Sequence, residues 1–138
     1  MNNDDYLNFV RQFPCVVCYS NKVLTTDVEA HHENSSDRFY FSKRNFDYGA
    51  IPLCAKHHSK RHFSGKKKFW KNLTEEFIYY TIISLLETYI THKNYQISES
   101  TKNILESKTY KNFNVFELKV FVDLLAHQIE LNLEETSE

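Results

Sequence analysis

All three cysteines and five of the seven histidines of this 138-residue chain fall between positions 15 and 62. Cys15-x-x-Cys18 and Cys54-x-x-His57 form two pairs of the same spacing. Zinc takes four soft or borderline ligands in a tetrahedron, commonly as two such pairs. A turn can deliver the first pair and a helix N-terminus the second, so these residues predict a treble-clef-like knuckle around a structural Zn²⁺. The competing reading packs the cysteines as small buried hydrophobes. Two correctly spaced pairs in a chain with so few Cys weigh against it.

A second set is His31, His32, His58 and His62. His58 and His62 lie four apart on the helix expected after Cys54, so both rings project from one face toward a common ion. His31 and His32 end the preceding strand, where neighbouring side chains point to opposite sides. One of them can therefore face the ion while the other faces elsewhere. An alternative has His31 or His32, in place of His57, completing the zinc site.

The elements that must position these residues follow from local pattern. Residues 3–12 read as a short helix with acids at its start, ended by Phe13-Pro14. Cys15–Cys18 reads as a tight turn. Residues 23–31, rich in β-branched types, predict a strand ending near His31, and 33–48 a long polar loop. Ala50–Leu53 predicts a second strand, with Pro52 suited to an edge or an end. A helix then begins after Cys54 and runs to about His62, closed by Ser64-Gly65 with Gly65 as its left-handed cap. In the back half, Thr74–Thr91 carries a helical apolar period, Ser98–Glu106 is a weaker helix, and Asn114–Leu133 has the clearest signals. There Asn114 and Glu117 form a capping-box pattern, Phe113 and Leu118 a hydrophobic staple, and Leu118, Phe121, Val122, Leu125 and Ile129 one stripe.

The order Cys-x-x-Cys, Ala30-His31-His32, then Ile51-Pro52-Leu53-Cys54-x-x-His57-His58-x-x-x-His62 resembles the H-N-H endonucleases. More narrowly it resembles the phage-associated recombination proteins that include the RecA-dependent nuclease Ref, down to the following Gly65 and Phe69-Trp70. The likeness covers about residues 13–71. It implies a ββα-metal hairpin and helix in which His31, His58 and His62 bind a catalytic divalent ion (Mg²⁺, Mn²⁺ or Zn²⁺) and His32 is the general base. Cys15, Cys18, Cys54 and His57 then hold the separate structural zinc. DNA would be the substrate, cut to a 5′-phosphate and a 3′-hydroxyl, with RecA or another recombination protein as a partner. The chain departs from the family where its middle Asn usually lies, at Gly49-Ala50. Asp47 fits the acidic residue that stands in for it in the phage-associated group, and Asn45 competes for that role.

Residues 1–72 hold 12 Lys and Arg against 7 Asp and Glu, a balance of +5, whereas residues 73–138 carry −6. A basic front half suits a polyanion. Arg38, Lys43, Arg44, Lys60, Arg61 and Lys66–Lys68 surround the motif and are candidates for gripping phosphates, contacts that position DNA without reading its sequence. Phe69 and Trp70 could stack on bases, but burial statistics favour them as core residues joining the motif to the helical half.

Composition sets the frame. With 41% hydrophobic and 25% charged residues, and only 2 Gly and 2 Pro, the chain reads as a helix-rich globular domain. No apolar run is long enough for a membrane helix and no signal-peptide core opens the chain, so a soluble, cytoplasmic protein is expected. Such a compartment favours thiolate ligands over disulfides. The expected architecture is α+β: a zinc-stabilised nuclease motif over 1–72, and an α-helical region over 73–138 packed on or extending the same domain. The leading function is a metal-dependent DNA endonuclease. A zinc-finger-like DNA- or protein-binding adaptor that has lost cleavage, and a helical interaction protein with an incidental knuckle, are the alternatives.

Overall fold

The computed structural model describes residues 4–32, 47–65, 69–70 and 74–136. Its described elements run α1 (Asp4–Val10), α2 (Val16–Ser20), β1 (Val28–His32), β2 (Ala50–Cys54), α3 (Ala55–Ser64), α4 (Glu75–Lys93), α5 (Glu99–Ser107), a 3-10 turn (Thr109–Asn112) and α6 (Val115–Thr136). The architecture of the described residues is α+β, mostly helical, with one two-stranded antiparallel sheet among them.

The hairpin is the frame of the front half. Its register pairs Val28 with Cys54, Ala30 with Pro52 and His32 with Ala50. Every residue of β2 is buried, and helices α1, α2, α3 and α4 all pack against that strand. Both strands of a two-stranded sheet are edges, which is where Pro52 is tolerated. The expected strand over 23–31 begins only at Val28. Its partner is exhausted there, because beyond Cys54 the chain turns into α3. Residues 23–27 are left mostly exposed, with the Thr25 carbonyl accepting from the Cys15 amide at 2.9 Å.

The cysteine turn contains a single helical turn, α2, with Cys15 at its N-terminus. The Cys18 carbonyl accepts from the Asn21 and Val23 amides (3.0 and 2.8 Å), which folds the chain back over the cysteines. Helix α3 extends to Ser64, and Gly65 ends it with φ 80° and ψ 160°. That conformation lies outside the expected left-handed helical basin, in a region essentially open to glycine alone. A Cβ there would meet nothing within 4 Å, so the constraint is conformational.

The back half follows its local signals closely. Thr74 caps α4 by accepting from the Phe77 amide, and Ser98 caps α5 by accepting from Thr101. The capping box at α6 is reciprocal: the Glu117 amide donates to Asn114 Oδ1 (2.8 Å) and the Asn114 amide to Glu117 Oε1 (2.9 Å). The α6 stripe Leu118, Phe121, Val122, Leu125 and Ile129 is buried and belongs to one hydrophobic cluster with Ile51, Leu53, Ile82 and Leu86. Front and back halves therefore share a core. Their junction is aromatic: Tyr6 of α1 meets Tyr89 of α4 edge-on at 4.8 Å and Tyr48 at 5.2 Å. Asp5 Oδ2 accepts hydrogen bonds from the Tyr89 hydroxyl (2.6 Å) and Lys93 Nζ (2.9 Å). Among the described residues, no helix is long and apolar enough to cross a membrane.

Candidate functional site

Cys15, at the start of α2, Cys18 within it, and Cys54 and His57, at the head of α3, converge on one point. His57 Nδ1 lies 3.2 Å from Cys54 Sγ and 3.5 Å from both Cys15 Sγ and Cys18 Sγ, and Cys18 Sγ is 3.9 Å from Cys54 Sγ. Zinc–sulfur bonds of about 2.3 Å and zinc–nitrogen bonds of about 2.0–2.1 Å at a tetrahedral angle require roughly 3.8 Å between sulfurs and 3.6 Å between sulfur and nitrogen. The observed spacings fit, and the cluster could hold a metal ion. Burial holds the His57 pKa below its usual value, helped by Lys56 and Lys60, and so favours the neutral imidazole that a ligand must be. Phe69 lies edge-on to His57 at 6.4 Å and packs on Trp70 at 4.5 Å. Trp70 is buried, so this pair forms core behind the cluster.

The second grouping follows from strand alternation. Residues directly opposite in an antiparallel ladder share a face, so Glu29, His31, Ile51 and Leu53 lie on one side of the hairpin and Ala30, His32, Ala50 and Pro52 on the other. His31, only 3% exposed, meets the α3 histidines edge-on, its ring 5.0 Å from His58 and 5.5 Å from His62. One nitrogen from each of the three lies within 4.8 Å of the others, and the set could also hold a metal ion. Burial falls from His31 through His58 to the exposed His62, so the cluster opens to solvent at the C-terminal end of α3.

Two of these histidines, His58 and the neighbouring His32, have a carboxylate in reach. His58 Nδ1 lies 2.9 Å from Glu29 Oε1. A carboxylate only accepts, so Nδ1 carries the hydrogen and Nε2 keeps its lone pair for an ion. His32 Nε2 lies 2.7 Å from Asp47 Oδ1, which by the same reasoning leaves Nδ1 as the basic nitrogen. Asp47 is held by its neighbour Tyr48, buried against Tyr6.

The structure thus gathers the seven expected ligands into two groups, with His57, and neither His31 nor His32, joining the cysteines. It sets His32 against Asp47. Lys60 is exposed and Arg61 half-buried on α3. Arg38, Lys43, Arg44, Asn45 and Lys66–Lys68 lie outside the described residues. Two residues escaped sequence reasoning. Glu29 carried a usable signal, its two-residue spacing from His31 on one strand face. Phe63, 91% exposed beside His62, carried none. No protein-family model, curated protein or solved structure matches this chain.

Proposed function

We propose that the chain is a metal-dependent DNA endonuclease of the H-N-H type, with a treble-clef-like zinc knuckle supporting a ββα-metal site. The observation that carries this is the second cluster. A knuckle that only stabilises a fold needs Cys15, Cys18, Cys54 and His57, and leaves His31, His58 and His62 without a purpose. Their solvent-open arrangement is what a catalytic ion requires, since it must keep a coordination position for substrate or water.

In this reading His31, His58 and His62 hold the divalent ion, and three neutral imidazoles favour Zn²⁺ or another transition ion over Mg²⁺, which prefers oxygen. When bound, the ion supplies Lewis-acid stabilisation of charge on the scissile phosphate and the leaving 3′-oxygen. His32 is the general base: Nδ1 takes a proton from water as the water oxygen bonds to phosphorus. The bond from phosphorus to the 3′-oxygen breaks, that oxygen takes a proton from solvent water, His32 returns its proton to solvent, and the products are a 5′-phosphate and a 3′-hydroxyl. Asp47 orients His32 by accepting its Nε2 hydrogen. Lys60 and Arg61 sit on the ligand-bearing helix, where phosphate contacts would position the strand. Phage or bacterial recombination, with RecA or a similar filament protein as partner, is the setting the resemblance suggests.

The test is conversion of supercoiled plasmid and of single-stranded circles with Mn²⁺, Mg²⁺ or Zn²⁺, with and without a RecA filament. The wild type is expected to nick, and a folded, zinc-loaded His32→Ala to lose at least about a hundredfold in rate. DNA binding without cleavage by either protein in every condition would replace the nuclease with a DNA-binding adaptor.

A further inference from the structure

The ligand face of α3 is accounted for above; its other side is not. The helix carries Lys56, Lys60 and Arg61 and no acidic residue. At 3.6 residues per turn, Lys56, Lys60 and Phe63 stand at i, i+4 and i+7 and share a face, turned away from the side that presents His58 and His62. All three are exposed. Phe63 is the extreme case, at 91% against 71% for Leu24, the next most exposed large hydrophobic among the described residues.

Among the described aromatics Tyr19, Phe77 and Phe116 are also exposed, at 65%, 36% and 56%, and Phe63 is the most exposed of them. Tyr6, Phe9, Tyr48, Trp70, Tyr79, Tyr89, and Tyr110 are buried in the core, and Phe69 packs on Trp70 and His57. Phe63 instead stands in water, next in sequence to the outermost histidine of the three-His cluster, with two ammonium groups on its own face. An aromatic face set among cations is the recurring surface for single-stranded nucleic acid. The base stacks on the ring and the phosphates meet the lysines. In a duplex the faces of the bases are covered by their neighbours, so stacking on a projecting ring costs an unstacking that an unpaired strand does not incur.

We propose that the Lys56–Lys60–Phe63 face of α3 is a single-stranded DNA subsite, in which an unpaired base of the bound strand stacks on Phe63 while Lys60 and Lys56 contact the neighbouring phosphates. The inference rests on the nuclease reading and narrows its substrate from DNA in general to single-stranded or locally unpaired DNA. Phe63 acts here through the base and not its identity, so the subsite tolerates any sequence.

Binding, measured separately from cleavage, tests it. The full-length zinc-loaded His32→Ala protein keeps the probe intact and serves as the parent. Fluorescence anisotropy follows a labelled oligothymidylate of about 12 nucleotides, an abasic strand of equal length and a matched duplex. Adding Phe63→Ala should weaken oligothymidylate binding roughly tenfold, with little change on the abasic strand, and Phe63→Trp should restore it. Lys60→Ala should reduce the salt dependence on both strands by slightly less than one ion. Being exposed, Phe63 can be truncated without loss of fold, which circular dichroism and zinc content verify. Oligothymidylate affinity unchanged by Phe63→Ala, an equal loss on the abasic strand, or binding confined to the duplex would each overturn the subsite and leave the nuclease reading standing. A parent that binds none of the three probes would overturn both.

Discussion

The Nδ1 hydrogen of His58 and the Nε2 hydrogen of His32 are both directed at carboxylates, Glu29 at 2.9 Å and Asp47 at 2.7 Å. Each contact fixes a tautomer, and the consequences differ. On His58 it frees Nε2 for an ion. On His32 it suits Nδ1 to the proposed role of general base. Glu29→Gln should therefore weaken metal binding at the three-histidine cluster about 10–100-fold. Zinc at the cysteine cluster should be retained, and competition with a graded series of chelators separates the two. Equal loss at both clusters would mean that Glu29 supports the hairpin and not His58. At this scale the sequence was informative wherever chemistry and spacing coincide. Spacing paired Cys15 with Cys18 and Cys54 with His57 but left His31 or His32 as an alternative to His57, which the geometry of the cluster removes. Glu29 was harder to find because an acid on a strand is ordinarily a solvated face. Only the register, which puts Glu29 and His31 on one side beneath α3, gives it a partner.

Among the elements, those whose ends are written in adjacent residues were readable and those set by distant partners were not. The α6 capping box is local, and Asn114 and Glu117 form both of its hydrogen bonds. Asn114→Ala should cost about 1 kcal/mol in chemical denaturation. The double variant with Glu117→Ala should cost less than the sum of the single changes, since the pair acts as a unit. By contrast, β1 starts at Val28 because β2 ends at Cys54, a fact absent from residues 23–27 themselves. The clasp between α1 and α4 is equally non-local. The Tyr89 hydroxyl and then the Lys93 ammonium hold the Asp5 carboxyl below its ordinary value. A depressed carboxyl contributes stability above its unfolded pKa of 3.8, and that contribution is lost as pH falls through the folded value. The stability difference between wild type and Asp5→Asn should accordingly be largest near neutral pH and fade below about pH 4. Asp5 is largely exposed, so the difference is small. A difference that grew on acidification would contradict the clasp.

For the whole molecule, the helical half provides both core and anchorage. Tyr89 of α4 packs on Tyr6, Tyr6 on Tyr48, and Tyr48 precedes the hairpin's second strand and follows Asp47. The acidic back half thus supports the turn that carries Asp47, while α3, which bears His58 and His62, carries Lys56, Lys60 and Arg61 and no acid. Charge asymmetry between the halves was visible in composition. Their shared core was not, because it depends on aromatic contacts across more than eighty residues, from Tyr6 to Tyr89.

Two metal sites with different duties are proposed for this fold, and metal-titrated nicking tests them most directly. Apoprotein refolded with one equivalent of Zn²⁺ should gain a cooperative thermal transition and remain inactive on plasmid, because the cysteine cluster, with its thiolate ligands, fills first. A second equivalent of Zn²⁺ or Mn²⁺ should then switch on nicking, and His62→Ala should abolish that second step alone. Nicking at full rate with one equivalent, or a folded two-ion protein that never nicks, would contradict the account.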